Sequence, residues 1–398
     1  MGLKKAVDYL IEWERVPDPL TDGSEFRADI MQPLSQENRQ QAQRARRSGD
    51  ERMLEKFRAA RQERQREDRQ QMRSIQAWWL ERIIETPRPL HEKLTLFWHG
   101  HFATGYRAVE DSWHMMIQNN MLRQNAGGSF KNGLVHNIIR DPAMIKYLNN
   151  NQNTYKAPNE NLARELMELF TLGAGNGYTE DDIKEGARAL TGMSYRDDSF
   201  AFNQRNHDSS GKTIFGRPGQ FDGADFVELI FRRPSASWFI SSKLHRFFVD
   251  DSMEISSSTK SAVNQMASTL KRNNWNVRPM LRELFRSQHF YDDTNRRTII
   301  KSPVQLAVQA VRSLGTPIRS ITRTNQACAL MGQELFYPPS VKGWEGGRKW
   351  INTSTLFIRN NLLVYLMTGR DPGAKAWEGS PGGWDATPLV SHLRDLSG

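Results

Sequence analysis

Two segments of the sequence carry ionisable residues at spacings that could support chemistry. The first is FWHGHF, in which His99 and His101 flank Gly100. Residues two apart on an α-helix point about 200° away from each other, so the two imidazoles could bind one metal ion only if the helix breaks at Gly100. A structural role, with an imidazole hydrogen-bonded to a carbonyl beside Trp98, is the commoner fate of such a histidine.

The second segment, residues 158–173, reads PNENLARELMELFTLG and predicts a helix closed by its final glycine. Glu165 and Glu168 lie one turn apart on its polar face, next to Arg164. Carboxylates at this spacing could bind a divalent cation or, if buried, act as general acid and base. They could equally form ion pairs with Arg164 and Arg188 in a structural network, and the sequence leaves the three alternatives open.

Two polar loops could lie beside these segments. His207 and Asp208 open the stretch HDSSGKTIFG, and a loop of this composition can close over a site, although a solvated loop is the commoner outcome. Residues 338–355, PPSVKGWEGGRKWINTST, combine prolines, glycines and tryptophans. That mixture is typical of a rigid loop that braces a fold, and lining a ligand is the less common alternative.

Several familiar catalytic and binding motifs are missing from the sequence. It contains no GxGxxG after a strand, no GxxxxGK[ST], no GxSxG and no HExxH. The single cysteine, Cys328, excludes an internal disulfide framework and a multi-cysteine metal cage. Covalent acyl transfer therefore has no visible apparatus in this chain.

The elements that must position these residues are predicted to be helices. With 38% hydrophobic residues, including 19 Phe and 11 Trp, the 398-residue chain can bury a sizeable core. Apolar residues recur at helical spacing, and at most a short hairpin is expected near Ser194–Asn203 or Thr213–Gly216. We therefore predict a mainly α, large multi-helix globular fold with long Gly/Pro-rich loops, little or no sheet, and no membrane-spanning helix. In its C-terminal half the expected helices are Asp225–Phe231, Ala236–Val249, Ser258–Arg272, Arg278–Ser287, Pro303–Leu314 and Ala327–Leu335.

Three segments are predicted along the chain. Residues 1–86 form N-terminal helices that include a charged Arg/Glu-rich helix, residues 87–370 form the helical core with the polar motifs, and residues 371–398 form a Gly/Pro-rich tail. Much of the net charge of +10 lies in the Arg-rich stretch Arg44–Arg73. Its interspersed acidic residues dilute the positive field that phosphate binding needs, so a solvated helix is favoured there and nucleic-acid binding is not.

Taken together, the motifs resemble a bacterial family known as "domain of unknown function 1800". The segments FWHGHFATG, PNENLARELMELFTLG, GYTEDDIKEGARALTGM, HDSSGKTIFG and PPSVKGWEGGRKWINTSTLFIRNNLL occur here in the order seen in that family. The resemblance covers residues 4–366 and implies a large helical fold with no assigned reaction. It places the family's polar signature on His99, His101, Asn159, Glu160, Arg164, Glu165, Glu168, His207 and Asp208.

The resemblance also bears on location and partners. Residues 1–17 show no apolar stretch followed by a small-residue cleavage site, so no signal peptide is expected and the chain as written would be cytoplasmic. Family members, however, are often exported, and the family's usual opening helix is absent here, which suggests a truncated start. Members are often encoded beside a second family that resembles sulfatases, which implies a protein partner of that kind.

Two functions follow as hypotheses, and the sequence leaves open whether the chain is an enzyme. The first is a metal-assisted enzyme, hydrolytic or oxidative, favoured by the density of ionisable residues in three separate motifs. The alternative is a non-catalytic binding or assembly factor that acts with a partner protein. For the first we expect the His99–His101 helix and the Glu165–Glu168 helix to pack side by side, with His101 near a glutamate and the 207–208 loop above them. The predicted ligands of a divalent metal are His99, His101, Glu165, Glu168 and His207, and the predicted catalytic residues are Glu165, Glu168, Arg164 and Asp208.

Overall fold

The computed structural model describes residues 2–252, 254–315 and 318–369 of the chain. The fold is 63% helical, and the described residues form 18 α-helices and two small antiparallel sheets of two strands each. The predicted fold class, a mainly α fold with little sheet, is therefore confirmed. Among the described helices, none combines the length and the apolar character needed to cross a bilayer.

The N-terminal part of the chain contains six α-helices, two of which form a helical hairpin. The helices are α1 Leu3–Ile11, α2 Gln36–Ser48, α3 Glu51–Glu85, α4 Pro89–His101, α5 Tyr106–Val109 and α6 Ser112–Gln124. Gly49 ends α2 in a left-handed conformation (φ 68°), and the Asp50 side chain caps the start of α3. In α2 only Ala45 is buried, and in α3 no residue before Asp68 is buried. Residues 36–67 therefore form a largely exposed projection, which we call the arm.

A buried charge cluster fixes the second half of α3 to α4 and α6. Glu92 of α4 is fully buried and accepts hydrogen bonds from Arg82 Nε (2.8 Å) and Arg123 Nε (2.7 Å). Trp79 Nε1 donates a third bond to the same carboxylate at 3.0 Å. Burial by itself disfavours a carboxylate, but the two guanidinium groups outweigh it and lower the pKa of Glu92 to about 2. The three helices are thus joined by a buried ion-pair cluster. If one of its charges were removed, water could not reach the others to solvate them.

The middle of the chain alternates short helices, π-helical turns and hairpins. Its helices are α7 His136–Ile138, α8 Pro142–Tyr147, α9 Asn161–Glu165 and α10 Glu180–Ala189, and its π-helical turns are Phe130–Val135 and Leu166–Thr171. Strands β1 (Met193–Arg196) and β2 (Ser199–Phe202) pair from Met193↔Phe202 to Arg196↔Ser199. Strands β3 (Lys212–Ile214) and β4 (Arg217–Gly219) pair from Lys212↔Gly219 to Ile214↔Arg217. The sequence predicted at most one short hairpin, near residues 194–203 or 213–216; the structure has one at each place, so the number was underestimated.

The C-terminal part is helical. It contains α11 Gly223–Phe231, α12 Pro234–Phe248, α13 Ser257–Arg272, α14 Val277–Arg286, α15 Gln288–Tyr291, α16 Pro303–Leu314, α17 Ile321–Leu330 and α18 Thr353–Thr368. Five of the six helices predicted here agree with the structure within two residues at each end. The sixth, Ala327–Leu335, has the wrong bounds because α17 starts earlier and the chain leaves the helix before Gly332, which adopts φ 96°.

Apolar side chains form two clusters in the described residues. The larger one joins α4, α6 and α9–α14, and the smaller one joins the second half of α3 to α16, α17 and α18. Met72 and Trp79 of α3 share the smaller cluster with Val304 and Phe336. The predicted division at residue 86 stays a prediction, and the predicted tail 371–398 lies outside the described residues.

Candidate functional site

The histidine pair lies at the C-terminal end of α4, which runs unbroken to His101. The two rings therefore point in different directions, as their helical spacing requires. His99 accepts a hydrogen bond at Nε2 from the Phe336 backbone N–H (3.1 Å), and its ring meets Trp79 edge-on with centroids 4.8 Å apart. Burial lowers the pKa of His99 to about 3. His99 is therefore a neutral acceptor that fixes the backbone at Phe336.

His101 connects α4 to the polar segment of residues 158–173. Its Nε2 lies 3.0 Å from the Phe170 carbonyl oxygen, and its Nδ1 lies 3.2 Å from Lys243 Nζ. A neutral imidazole has one donor and one acceptor nitrogen, so Nε2–H donates to Phe170 and Nδ1 accepts from Lys243. Burial, reinforced by the Lys243 charge, lowers the pKa of His101 well below its usual value. Both ring nitrogens are engaged within the protein.

Lys243 of α12 completes this contact. Its Nζ donates to the Leu169 carbonyl oxygen (3.1 Å) as well as to His101, and it lies 4.8 Å from the Phe239 ring centroid. Burial, with a smaller contribution from Arg246, lowers the pKa of Lys243 to about 8. The Leu169 and Phe170 carbonyls belong to the π-helical turn that ends at Thr171. Carbonyls in the last turn of a helix lack intrahelical partners and favour a donor or a cation; the neutral imidazole donates to Phe170, and the Lys243 amine donates to Leu169.

The two glutamates lie on the other side of the same segment. Glu168 accepts a hydrogen bond from Arg164 (3.4 Å), and the Tyr178 side chain lies against its carboxylate. Arg164 also contacts Glu160 (2.9 Å) and Glu180 (2.7 Å), so its guanidinium group serves three carboxylates. This part of the site matches the structural ion-pair network that the sequence allowed as one alternative, with Glu180 taking part.

Glu165 is the carboxylate that this network does not use. Within the described residues no hydrogen bond or ion pair reaches its side chain, although the residue is half-buried. Burial, and next the negative charge of Glu168, raise the pKa of Glu165, while Arg164 and Lys342 oppose the rise. Tyr147 of α8 lies close enough that the Glu165 charge adds to the effect of burial in raising the pKa of its phenol. Glu165 is thus a carboxyl group held near other charges without a fixed partner.

The Gly/Pro-rich loop of residues 338–355 both braces α4 and reaches this carboxylate. A β-carbon on Gly343, which adopts φ 73°, would lie 2.2 Å from the Gly100 carbonyl oxygen. The adjacent Trp344 ring lies 5.8 Å from the ring of His99. The close approach of Gly343 to the end of α4 brings Lys342 near Glu165. The loop therefore braces α4, and its lining of a ligand stays a prediction.

The His207–Asp208 loop makes its contacts with α10 and the residues after it. His207 Nδ1 lies 2.9 Å from the Thr191 carbonyl oxygen, and Asp208 accepts a hydrogen bond from Arg188 Nε (2.7 Å). Burial opposes ionisation of Asp208, but hydrogen bonds from Arg188 and Ser210 hold its pKa well below the usual range. The hydrogen-bond partners of His207 and Asp208 are Arg188 of α10, Thr191 just after it and groups within the loop, and neither Glu165 nor Glu168 is among them.

The structure therefore brings together some of the predicted site residues and gives others separate roles. The His101 and Glu165 segments pack side by side, joined by the His101–Phe170 bond and by Phe102 and Phe170 rings 5.3 Å apart. The expected contact of His101 with a glutamate is replaced by its bonds to Phe170 and Lys243. Across residues 2–252, 254–315 and 318–369, no three His, Cys, Asp or Glu side chains are grouped so as to hold a metal ion. The metal role of the five predicted ligands stays a prediction.

Comparison with known proteins identifies the family. The family model described as "Protein of unknown function (DUF1800)" matches residues 2–396, nearly the whole chain. The chain belongs to this DUF1800 family. Comparisons with curated proteins and with solved structures found no match, so the site of this DUF1800 chain rests on its own geometry.

Sequence reasoning missed three side chains of the DUF1800 site: Lys243, Tyr147 and Lys342. Lys243 had a usable signal, because Phe239, Lys243 and Phe247 recur at helical spacing and place one amine in an aromatic stripe. Lys342 lies in the 338–355 loop, for which lining a ligand was one alternative, but the residue itself was not singled out. Tyr147 had no signal, since its distance in sequence from Glu165 gives no hint that tertiary packing brings them together.

Proposed function

We propose that this DUF1800 chain is a hydrolytic enzyme in which Glu165 is the general acid and base. One observation carries the proposal: Glu165 is half-buried and unbonded within the described residues, while its neighbours Glu168, Arg164 and His101 are all engaged. A carboxyl group with a raised pKa keeps its proton to a higher pH than an ordinary glutamate, which suits a group that both donates and accepts a proton.

The neighbours of Glu165 fit this role. Glu168 raises the pKa of Glu165 through its negative charge, and Lys342 opposes the rise through its positive charge. Because these charges lie on different elements, substrate binding between them would change the balance and favour proton transfer. Tyr147 supplies a phenol beside the same carboxyl group. Proton carriers of this kind can activate an attacking water and protonate the leaving group in a hydrolytic reaction.

The test compares Glu165→Gln with Glu168→Gln and with Glu81→Gln, an exposed residue of α3. Purified variants are assayed with p-nitrophenyl acetate, p-nitrophenyl phosphate and p-nitrophenyl glycosides. Glu165→Gln should lower kcat about 100-fold or more on whichever substrate is turned over, and Glu81→Gln should leave it unchanged. Glu168→Gln should shift the acidic limb of the pH–rate profile to lower pH, because a charge that raises the pKa of Glu165 is removed. Full activity in Glu165→Gln would refute the proposal.

Metal assistance is the less supported form of this hypothesis. The imidazoles of His99 and His101 already have hydrogen-bond partners. A metal ion could bind His99 Nε2 or His101 Nδ1 only after the Phe336 N–H or the Lys243 amine had been displaced from it. Elemental analysis of the purified protein, before and after incubation with a chelator, tests it directly. A stoichiometric divalent metal whose removal changes activity would restore the metal-assisted reaction, with Glu165 and Glu168 as the nearest available oxygen ligands.

The arm favours a second candidate function, a binding or assembly factor that acts with a partner protein. Four arginines of α2, at positions 39, 44, 46 and 47, form no ion pair with any residue that the structure describes. The projecting hairpin that carries them offers a surface for a partner. Co-elution with a sulfatase-like protein, lost when all four arginines are changed to Gln, would support this function. Co-elution that survives the change would leave the arm without a role in it.

A further inference from the structure

An open cleft lies between α10 and the β3–β4 hairpin. Its volume is about 720 Å³, and its walls include Asp181 and Lys184 of α10, Thr213 and Phe215 of the hairpin, and Arg233 just before α12. Residues of the proposed catalytic centre do not line it. Whatever the cleft binds is therefore a question separate from the role of Glu165.

Arg233 is the cation in this cleft whose hydrogen-bonding capacity is largely unused. Its Nη2 donates to the Gly177 carbonyl oxygen at 2.9 Å, and its Nε is buried without a partner. A guanidinium group has five N–H donors, and within the described residues the Arg233 side chain makes one hydrogen bond and no ion pair. Buried or partly buried guanidinium groups are usually matched to a carboxylate or phosphate.

The carboxylates of the opposite wall are already engaged with other groups. Asp182 accepts hydrogen bonds from Thr179 and from the Phe215 backbone N–H. Glu185 accepts from Arg188 at 2.7 Å and from the Thr213 backbone N–H at 2.9 Å. Asp181 pairs with Lys184 at 3.2 Å. The positive charge of Arg233 is therefore left facing the cleft without a protein counter-ion.

Phe215 occupies a backbone position that phenylalanine disfavours. Phe215 and Gly216 are the two loop residues of the β3–β4 hairpin, with φ of 52° and 73°, and two positive values define a type I′ turn. Asn, Asp or Gly is preferred at the first loop position because a larger side chain strains the left-handed conformation. Here the strain places an aromatic ring 5.2 Å from the Arg233 guanidinium. Strain of this kind persists where a side chain is needed at one place.

We propose that this cleft binds a small organic acid, whose carboxylate or phosphate group pairs with the free Nη1 edge of Arg233 beside the Phe215 ring. The ring excludes water from one side of the guanidinium group and so strengthens the ion pair. Asp181, Asp182 and Glu185 on the opposite wall repel a second negative charge, which favours a ligand with a single anionic group. A hydroxylated remainder, as in a sugar acid, could hydrogen-bond to those carboxylates.

Isothermal titration of the full-length protein at physiological ionic strength tests the proposal, with glucuronate as the carboxylate probe and inorganic phosphate as the phosphate probe. We expect saturable one-to-one binding of at least one probe, and the tighter probe identifies the anionic group. Arg233→Gln should weaken binding at least about tenfold. Arg232→Gln removes the same charge from the adjacent exposed residue and should change the affinity less than about twofold. Equal weakening in both variants, or no saturable binding of either probe, would overturn the proposal.

Two further variants guard against loss of folding. Arg233→Lys keeps the charge and loses the planar fork, so its affinity should lie between those of the native protein and Arg233→Gln. Phe215→Gly removes the ring and relieves the strain, so the protein should unfold at an equal or higher temperature while binding the probe more weakly. If Phe215→Gly binds the probe with native affinity, the ring has no role in binding and that part of the proposal is refuted. If Arg233→Lys binds with native affinity, recognition by the guanidinium fork is refuted.

Discussion

Replacing Gly343 with alanine should strongly destabilise the protein through one identifiable contact. The new β-carbon would lie 2.2 Å from the Gly100 carbonyl oxygen, and both partners are backbone. The φ of 73° adds about 1–2 kcal/mol of strain for any residue with a β-carbon. Overpacking that forces backbone apart adds about 1–3 kcal/mol. The total expected loss in the free energy of unfolding is therefore about 2–5 kcal/mol.

Gly216→Ala is the matched control for this prediction. Gly216 has the same φ of 73°, but a β-carbon there meets no heavy atom within 4 Å. Its loss should contain only the strain of about 1–2 kcal/mol. Both variants are compared with the native protein by urea denaturation, followed by circular dichroism. Equal losses in the two variants would refute the close approach of the 338–355 loop to α4.

Three further predictions concern charged groups. Glu92→Gln should reduce the free energy of unfolding by about 3–5 kcal/mol, since it leaves Arg82 and Arg123 buried without a counter-ion; in the native protein this stabilisation should be lost as pH falls from about 4.5 towards 2. The native protein should gain stability between about pH 8 and 10.5, because there the unfolded chain still binds a proton that the folded Lys243 has released. Lys243→Met should abolish this gain, which is measured by comparing native and variant denaturation curves across that pH range. Changing four arginines of the arm to Gln should alter solubility but not duplex DNA binding. The four are Arg39, Arg44, Arg46 and Arg47, and DNA binding is measured by fluorescence anisotropy at physiological salt.

Each of these has an outcome that would contradict it. Glu81→Gln is the control for Glu92→Gln, and similar effects in both would mean that the buried cluster contributes no specific stability. A parallel pH dependence in the native protein and Lys243→Met would contradict the lowered pKa of that amine. Salt-sensitive DNA binding that disappears in the arm variant would contradict the view that its acidic residues dilute the field.

The sequence predicted elements better than it predicted contacts. Helical spacing placed α13 and α16 correctly, because their apolar stripes and stop signals are local. The same spacing correctly separated His99 from His101 on the helix surface. It could not show that Phe336 and Lys243 would be their partners, because those contacts join residues 237 and 142 positions apart. Glu165 and Glu168 looked equivalent in sequence, and only the side-chain partners given by the fold distinguish the free carboxyl group from the engaged one.

The length of α3 gives the molecule a mechanical property. The helix has 35 residues, so it extends about 52 Å at 1.5 Å per residue, and its exposed and buried halves are one rod without a hinge. Trp79, in the buried half, contacts the ring of His99 at 4.8 Å and bonds to Glu92 at 3.0 Å. A force applied at the tip of the arm is therefore transmitted to the end of α4 through rigid helix and buried charge, with no flexible loop to absorb it.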